Sequence, residues 1–157
     1  MLMRTLAALW RHLPAPLRMR TARAGHPHFA VTVGVFIFDD RGHILLLDHL
    51  FRPDDGWGVP GGFISKGEQP EEALRRELLE EIGIEVDQVR ILFVRTLPRA
   101  RQIEIYFRAK AIGNPEPRSF EIKHSGWFNL DDLPHTLSKD QRRLIARAVK
   151  IGEKTSD

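Results

Sequence analysis

The run from Gly62 to Ile84 constrains this chain more than any other segment. A glycine opens it, Glu68 stands alone in its middle, and Arg76-Glu77-Leu78-Leu79-Glu80-Glu81-Ile82-Gly83-Ile84 closes it. Pro70 suits the first turn of a helix, where its missing N–H would have no partner anyway. Gly83 suits the position just past the end, where a left-handed backbone is needed. Between them stand good helix formers with no glycine or proline. At about 100° per residue, Leu74, Leu78 and Ile82 form one stripe, and Glu77, Glu80 and Glu81 fall together on a neighbouring arc. The leucine stripe is expected to face a core and the glutamates to line a cleft beside it.

Carboxylates that close repel one another and call for a compensating cation. Oxygen ligands suit hard ions such as Mg²⁺ or Mn²⁺. The bland alternative is a solvated glutamate-rich helix face. The three glutamates alone leave both readings open; what bears on the choice is the longer pattern of glycine, glutamate, Arg-Glu-aliphatic, Glu-Glu and Gly-aliphatic behind Val59-Pro60-Gly61.

This pattern resembles the Nudix box of enzymes that hydrolyse a nucleoside diphosphate linked to another group. The resemblance implies an Mg²⁺- or Mn²⁺-dependent pyrophosphohydrolase. Glu77 and Glu81 would be the main metal ligands, Glu80 a further ligand or hydrogen-bond partner, and the Gly61 carbonyl another ligand. Glu68 and Arg76 would hold the loop against the helix and orient the carboxylates, with Gly62 and Gly83 as structural positions of the motif. For the general base it points to a glutamate shortly before a tryptophan in the last strand. Glu121, ahead of Trp127, is the candidate, and Glu80 is the alternative. Many relatives carry a second acid three residues further on, where this chain has His124.

A chain of 157 residues is enough for one core. It contains no cysteine, which excludes disulfides, thiolate zinc sites and cysteine nucleophiles. Its net charge of +3 is unevenly placed. Residues 1–38 hold Arg4, Arg11, Arg18, Arg20 and Arg23 and no acid, which leaves 19 basic and 21 acidic residues from position 39 onward, a net of −2. The pI of 9.6 therefore belongs to an N-terminal arm, and nucleic acid is not expected as a partner of the body. Leu2, Leu6, Leu9, Trp10, Leu13 and Leu17 recur near helical spacing in that arm, interrupted by Pro14 and Pro16. Three readings stay open: packing on its own domain or on a homodimer partner, contact with a membrane surface, or a targeting segment. Arg11 and His12 interrupt any secretory apolar run, and a cytoplasmic location is expected.

Residues 1–28 thus read as a basic amphipathic arm and linker, and 29–157 as the hydrolase domain. Strands are expected over 29–38, 43–47, 57–60, 89–95, 102–111 and 122–128. Asp39-Asp40-Arg41-Gly42 reads as a turn. Ser138 with Gln141 reads as a capping box that starts a last helix, with Leu144, Ile145, Ala148 and Val149 toward the core. Together these give an α/β fold, an α/β/α sandwich with a mixed central sheet and an N-terminal helical arm.

The substrate is expected to be a small nucleotide such as ADP-ribose, a nucleotide sugar or a nucleoside triphosphate. Arg99 and Arg101, after the box, are candidates for a second phosphate. Phe63, Phe29 and Phe51 are candidates to stack on a base, with Phe63 preferred. Pro98 lies one residue off the position of a proline in ADP-ribose hydrolases of the family. Two alternatives remain, a non-catalytic nucleotide-sensing module and an RNA-end pyrophosphohydrolase.

Overall fold

Two strands buried on both faces organise the molecule. The computed structural model describes residues 10–52 and 56–154. Strands β1 (Ala30–Ile37) and β2 (Ile44–His49) form where β-branched and aliphatic residues run together. Val33, Val35 and Ile37 of β1, with Leu45 and Leu47 of β2, face one core, and Phe36, Ile44 and Leu46 face the other. Alternate side chains thus feed two separate cores, as the two-residue period of a strand requires. The turn between them is built on Asp39, whose Oδ1 accepts the N–H groups of Arg41 and His43.

The remaining strands are β3 (Trp57–Gly58), β4 (Glu85–Leu97), β5 (Gln102–Ile112) and β6 (Ile122–Phe128). One sheet has the order β1-β5-β4, with β1 parallel to β5 and β4 antiparallel to it. The other has the antiparallel order β3-β2-β6. The sheet layer is therefore two three-stranded halves, joined at a bridge between Phe38 and Ile44.

Helix α1 (Ala15–Ala24) lies in the arm and buries none of its residues. The first part of the expected apolar pattern, including Leu2, Leu6 and Leu9, lies outside the described residues. Helix α2 (Pro70–Ile82) buries Leu74, Leu78 and Ile82 against Val33, Val35 and Leu47. Its start and stop are those expected, with Gly83 left-handed at φ 68°. Helix α3 (Lys139–Glu153) covers the opposite face, setting Leu144, Ile145 and Ala148 against Phe36, Phe93 and Tyr106. Two layers of helix thus enclose the sheet layer, which is the expected sandwich.

Several boundaries differ from expectation. Strand β4 begins at Glu85, four residues early, and carries an irregularity between Asp87 and Arg90, where Gln88 has φ 52°. The bulge breaks the alternation that pattern reading relies on. Val149 is half-buried rather than fully in the core. At the start of α3 the Ser138 hydroxyl caps the Gln141 N–H at 3.2 Å, but the Gln141 side chain does not return to Ser138. Its Oε1 accepts the Val59 N–H at 3.3 Å and ties α3 to the loop before α2.

Candidate active site

The loop Pro60–Ile64 runs along the free edge of β1. Val35 donates to the Pro60 carbonyl, Val33 to that of Gly62, and Ile64 to that of Val31, at 2.9 to 3.0 Å. This seam holds Gly61 and Gly62 against the strand while α2 lies above them. A Cβ at Gly61 would stand 2.1 Å from the Val33 carbonyl oxygen, with a φ of 147° that side chains rarely adopt. A Cβ at Gly62 would stand 2.3 Å from the Glu77 carboxyl carbon. The double glycine therefore lets backbone and carboxylates approach at van der Waals distance.

Arg76 fastens the loop to the helix. Its guanidinium donates to both oxygens of Glu68 at 2.8 and 3.0 Å and to the Phe63 carbonyl at 3.0 Å. It also donates to Glu77 at 2.9 Å and to Glu80 at 3.3 Å. Its hydrogen bonds and the Ser65 N–H hold the Glu68 carboxyl down at about 2. Glu81 behaves oppositely. It is 9% exposed, and its Oε2 accepts the Gly61 N–H at 3.3 Å. Burial pushes its carboxyl up to about 8; like charge on Glu77 and Glu121 adds to this, and the Gly61 N–H and Arg52 oppose it. His49 Nδ1 lies 3.7 Å from Glu81 Oε1. Burial and the charge of Arg52 push its imidazole down to about 3, so at neutral pH it is uncharged and does not offset Glu81.

The approach of Glu121 has a structural cause. Arg118 and Ser119 N–H groups donate to the Glu81 carbonyl, and Glu116 N–H to that of Ile82. These bonds satisfy carbonyls at the C-terminal end of α2, which has no further helical turn to use them. The connection ahead of β6 is thereby pinned to the helix end, and the Glu121 carbonyl accepts the Leu50 N–H at 2.7 Å.

Beside the glutamates lies a cleft of about 200 Å³. Its lining includes Gly61, Gly62 and Phe63 of the loop, Thr32, Gln102, Glu104 and Tyr106 of the neighbouring strands β1 and β5, Gln141 of α3, and Arg52. Gln102 Nε2 donates to Thr32 Oγ1 at 3.0 Å and to Glu104 Oε1 at 3.2 Å. Arg95 pairs with Glu104 and reaches Asp140 at 2.6 and 2.8 Å, linking β4 to α3 behind this lining. A NUDIX-domain family model matches residues 28–148.

The chain belongs to the Nudix hydrolase family.

An ADP-ribose pyrophosphatase of Methanocaldococcus jannaschii is 34% identical over 125 residues, covering 76% of this chain and 72% of that one. An NAD-capped RNA hydrolase of Chromobacterium violaceum is 29% identical over 127 residues, 80% of this chain; the chain spans only 46% of that relative's length. The crystal structure of a MutT Nudix hydrolase from Burkholderia pseudomallei superposes with a TM-score of 0.67 at 31% identity, covering 75% of this chain and 96% of that one.

Set on this Nudix framework, the residues singled out in the sequence separate into groups. Gly61, Gly62, Glu68, Arg76, Glu77, Glu80 and Glu81 meet at the junction of loop and helix. Glu121 is exposed at the foot of β6, on the side of Glu81. Phe63 is exposed at the mouth of the cleft. Arg99 and Arg101 are exposed on the turn between β4 and β5 and are not among the cleft-lining residues. Phe51 stands with Phe120 in an exposed edge-to-face pair, also away from the lining. Sequence reasoning missed Arg52, Gln102, Glu104 and Gln141, which β5, α3 and the loop after β2 bring together only in the folded chain.

Among the described residues, no three acidic or imidazole groups converge as a ready metal cluster. The donor chemistry nevertheless fits a hard divalent ion. Carboxylate oxygens crowd around a backbone glycine, and the Glu81 carboxyl is driven toward its neutral form by burial, with the like charges of Glu77 and Glu121 adding to it.

Proposed function

We propose that this Nudix hydrolase is a metal-dependent pyrophosphohydrolase that cleaves a nucleoside diphosphate linked to another group, with ADP-ribose the leading substrate class. The observation that carries this reading is the buried Glu81 close to Glu77 and Glu121, next to Gly61 and Gly62 of the cleft lining. The similarity to the archaeal ADP-ribose pyrophosphatase, over most of both chains, supports the choice of substrate class.

Glu77 and Glu81, with Glu80 and the Gly61 carbonyl, would hold Mg²⁺ or Mn²⁺. Such ions neutralise phosphate oxygens and lower the pKa of water. The residues supply the rest. Arg76 holds the Glu77 and Glu80 carboxylates in place. Glu121 accepts a proton from the attacking water, with Glu80 as the alternative base. Phe63 offers its face to the base of the nucleotide. The body from residue 29 carries this chemistry, and the basic arm of residues 1–28 serves a separate purpose, as a contact with a second copy or with a membrane surface. Among the described residues no helix is long and apolar enough to cross a membrane.

The test is a panel of ADP-ribose, nucleotide sugars, NADH and nucleoside triphosphates with Mg²⁺ or Mn²⁺, reading released monophosphate and phosphate. ADP-ribose is expected to give AMP. No hydrolysis of any member by folded, metal-loaded protein would overturn the reading.

A further inference from the structure

We propose that a separate phosphate-binding site lies at the far end of β5 from the cleft, where Arg90, Arg108 and Lys110 take one phosphate group, free or carried on a mononucleotide. The site shares no residue with the glutamate centre, and the proposal stands whether or not the hydrolase reading above does.

Its placement follows from the strand ladder. The cleft lies at Thr32, Gln102 and Glu104, whereas the β1–β5 register ends at Ile37 opposite Ala109. Arg108 stands between Phe36 of β1 and Arg90 of β4, so these three side chains leave the sheet on one face. Lys110, two residues further along β5, shares that face. Helix α3 covers the face as far as Glu153. Its buried Gly152 lies against Arg108, and a Cβ there would stand 2.1 Å from Nη1. Past the helix a hollow of about 370 Å³ opens over Phe38, Gln88, Arg90, Arg108 and Lys110, with Asp40 also in its lining. No residue of α3 lines it.

The charges in this hollow lack a counterpart. Like charges directly opposite each other in an antiparallel pair work against the sheet, and Arg90 faces Arg108 in that way. Opposed Cβ atoms are about 5 Å apart, so both guanidinium groups and the Lys110 ammonium can reach one small anion. Arg108 is half-buried; burial and the charge of Arg90 lower its pKa, and no carboxylate acts to raise it. Arg76 and Arg95, by contrast, are each held by carboxylates. Lys110 has Asp40 at 3.6 Å, but that carboxylate is almost fully exposed, and such a pair is weak. Among the described residues no ion pair reaches Arg90 or Arg108. The C-terminal end of α3 offers Arg108 a partial negative charge, which leaves the opposition of Arg90 standing. The Phe38 ring, whose centre lies 4.7 Å from Arg108 Cζ, steadies the guanidinium from one side. A phosphate dianion would offset the three cations, and its oxygens match the arginine forks.

The test uses the full chain, ¹⁵N-labelled and metal-free in chelator, at constant ionic strength. It is titrated separately with inorganic phosphate and with AMP, reading amide shifts by NMR and the melting temperature in parallel. Phosphate is expected to move the amides of Gln88, Arg90 and Lys110 and to leave those of Gly61 and Gly62 still. AMP should move the same three, and the tighter of the two ligands identifies the source of the phosphate group. Arg90→Gln should weaken phosphate binding roughly tenfold or more, the loss of one charge-assisted contact, and Arg90→Glu should abolish it. Without ligand, Arg90→Gln should melt about 1 to 4 °C above the wild type, because the opposed charges are gone. Saturating phosphate should close or reverse that difference, since it stabilises chiefly the wild type.

Shifts confined to the cleft amides would overturn the proposal, as would the same shifts when chloride replaces phosphate. Phosphate binding unchanged in both Arg90 variants would overturn it too. A single-stranded oligonucleotide that moves these amides where phosphate and AMP do not would replace the site with a nucleic-acid surface.

Discussion

Replacing Glu81 by glutamine should stabilise the metal-free protein at pH 9 while abolishing its activity. In the folded chain the Glu81 carboxyl is raised from 4.5 to about 8, chiefly by burial. Below about pH 4.5 the group is protonated in both folded and unfolded chains, and it exerts no penalty. Between about 4.5 and 8 the unfolded chain releases the proton that the folded chain keeps, so stability falls as pH rises. Above about 8 the folded chain holds a buried, unpaired carboxylate and the penalty is complete. The shift sets a ceiling of about 5 kcal/mol on that penalty. Glutamine keeps the shape and its carbonyl oxygen still accepts the Gly61 N–H, but it adds an amide that must find its own partner. The expected net gain is therefore about 1 to 3 kcal/mol at pH 9. In a chain of this size that is a rise in Tm of roughly 2 to 10 °C. The assay is thermal unfolding of wild type and Glu81→Gln in a chelator from pH 5 to 9. At pH 5, where the carboxylate penalty is nearly absent and the cost of the amide remains, the variant should be the less stable of the two; it should overtake the wild type as pH rises and hold its widest advantage at pH 9. Saturating Mg²⁺ should close or reverse it, because the ion stabilises only the wild type strongly. A glutamine variant less stable than wild type at pH 9 in chelator, or a gap independent of pH, would refute the reasoning. Near-wild-type turnover by the variant with saturating Mg²⁺ would remove Glu81 from the proposed ligand set.

Three further outcomes are expected. Arg76→Ala should cost about 2 kcal/mol or more and weaken Mn²⁺ binding in parallel, because Glu68, Glu77 and the Phe63 carbonyl lose one shared donor; a fall in activity at unchanged Tm would instead place Arg76 on the substrate. Glu121→Gln should lower kcat about 10²- to 10⁴-fold with little change in KM if Glu121 is the base, and an unchanged rate would pass that role to Glu80. Deleting residues 1–24 should change stability by no more than about 0.5 kcal/mol, the range typical of surface changes, since no residue of α1 is buried; a lower mass on size-exclusion with light scattering would assign the arm to a dimer, and loss of binding to anionic vesicles would assign it to a membrane surface.

The parts of the fold legible in the sequence were those fixed by local chemistry. Pro70 and Gly83 bracket α2 because each has a conformational reason to stand there, and the leucine stripe between them needs only helical periodicity to find its core. The pairing of Arg76 with Glu68 was implied by the resemblance to the Nudix box and is present in the fold. What escaped was set by tertiary convergence. Arg52 looked like one more charge in a polar loop, since nothing in its neighbours reveals that Gly58 will pass beneath it. Gln102, Glu104 and Gln141 stand on β5 and α3, and only the parallel pairing of β1 with β5 makes them one wall. Arg99 and Arg101, expected as candidates for a second phosphate, stand apart from the cleft-lining residues. Proximity in sequence to the strands of the site suggested a role, but the hairpin turn carries both out to solvent. The early start of β4 was hidden by the bulge at Gln88, which interrupts the alternation in its first turn of chain.

The parallel register of β1 with β5 also bears on how the protein is born. Ala30 lies opposite Gln102 and Ile37 opposite Ala109, so every pair in that ladder spans 72 positions. Contacts this distant are reached late, because the chain must be closed into a long loop before any of them forms. The β4–β5 hairpin, joined by a short turn, needs no such closure. On a ribosome, the helix carrying the glutamates therefore emerges well before the strand that completes the lining of the cleft. Until about residue 110 has left the exit tunnel, both apolar faces of β1 lack the neighbour that covers its edge. That interval is when this chain is most exposed to misassociation and has most need of a holding chaperone.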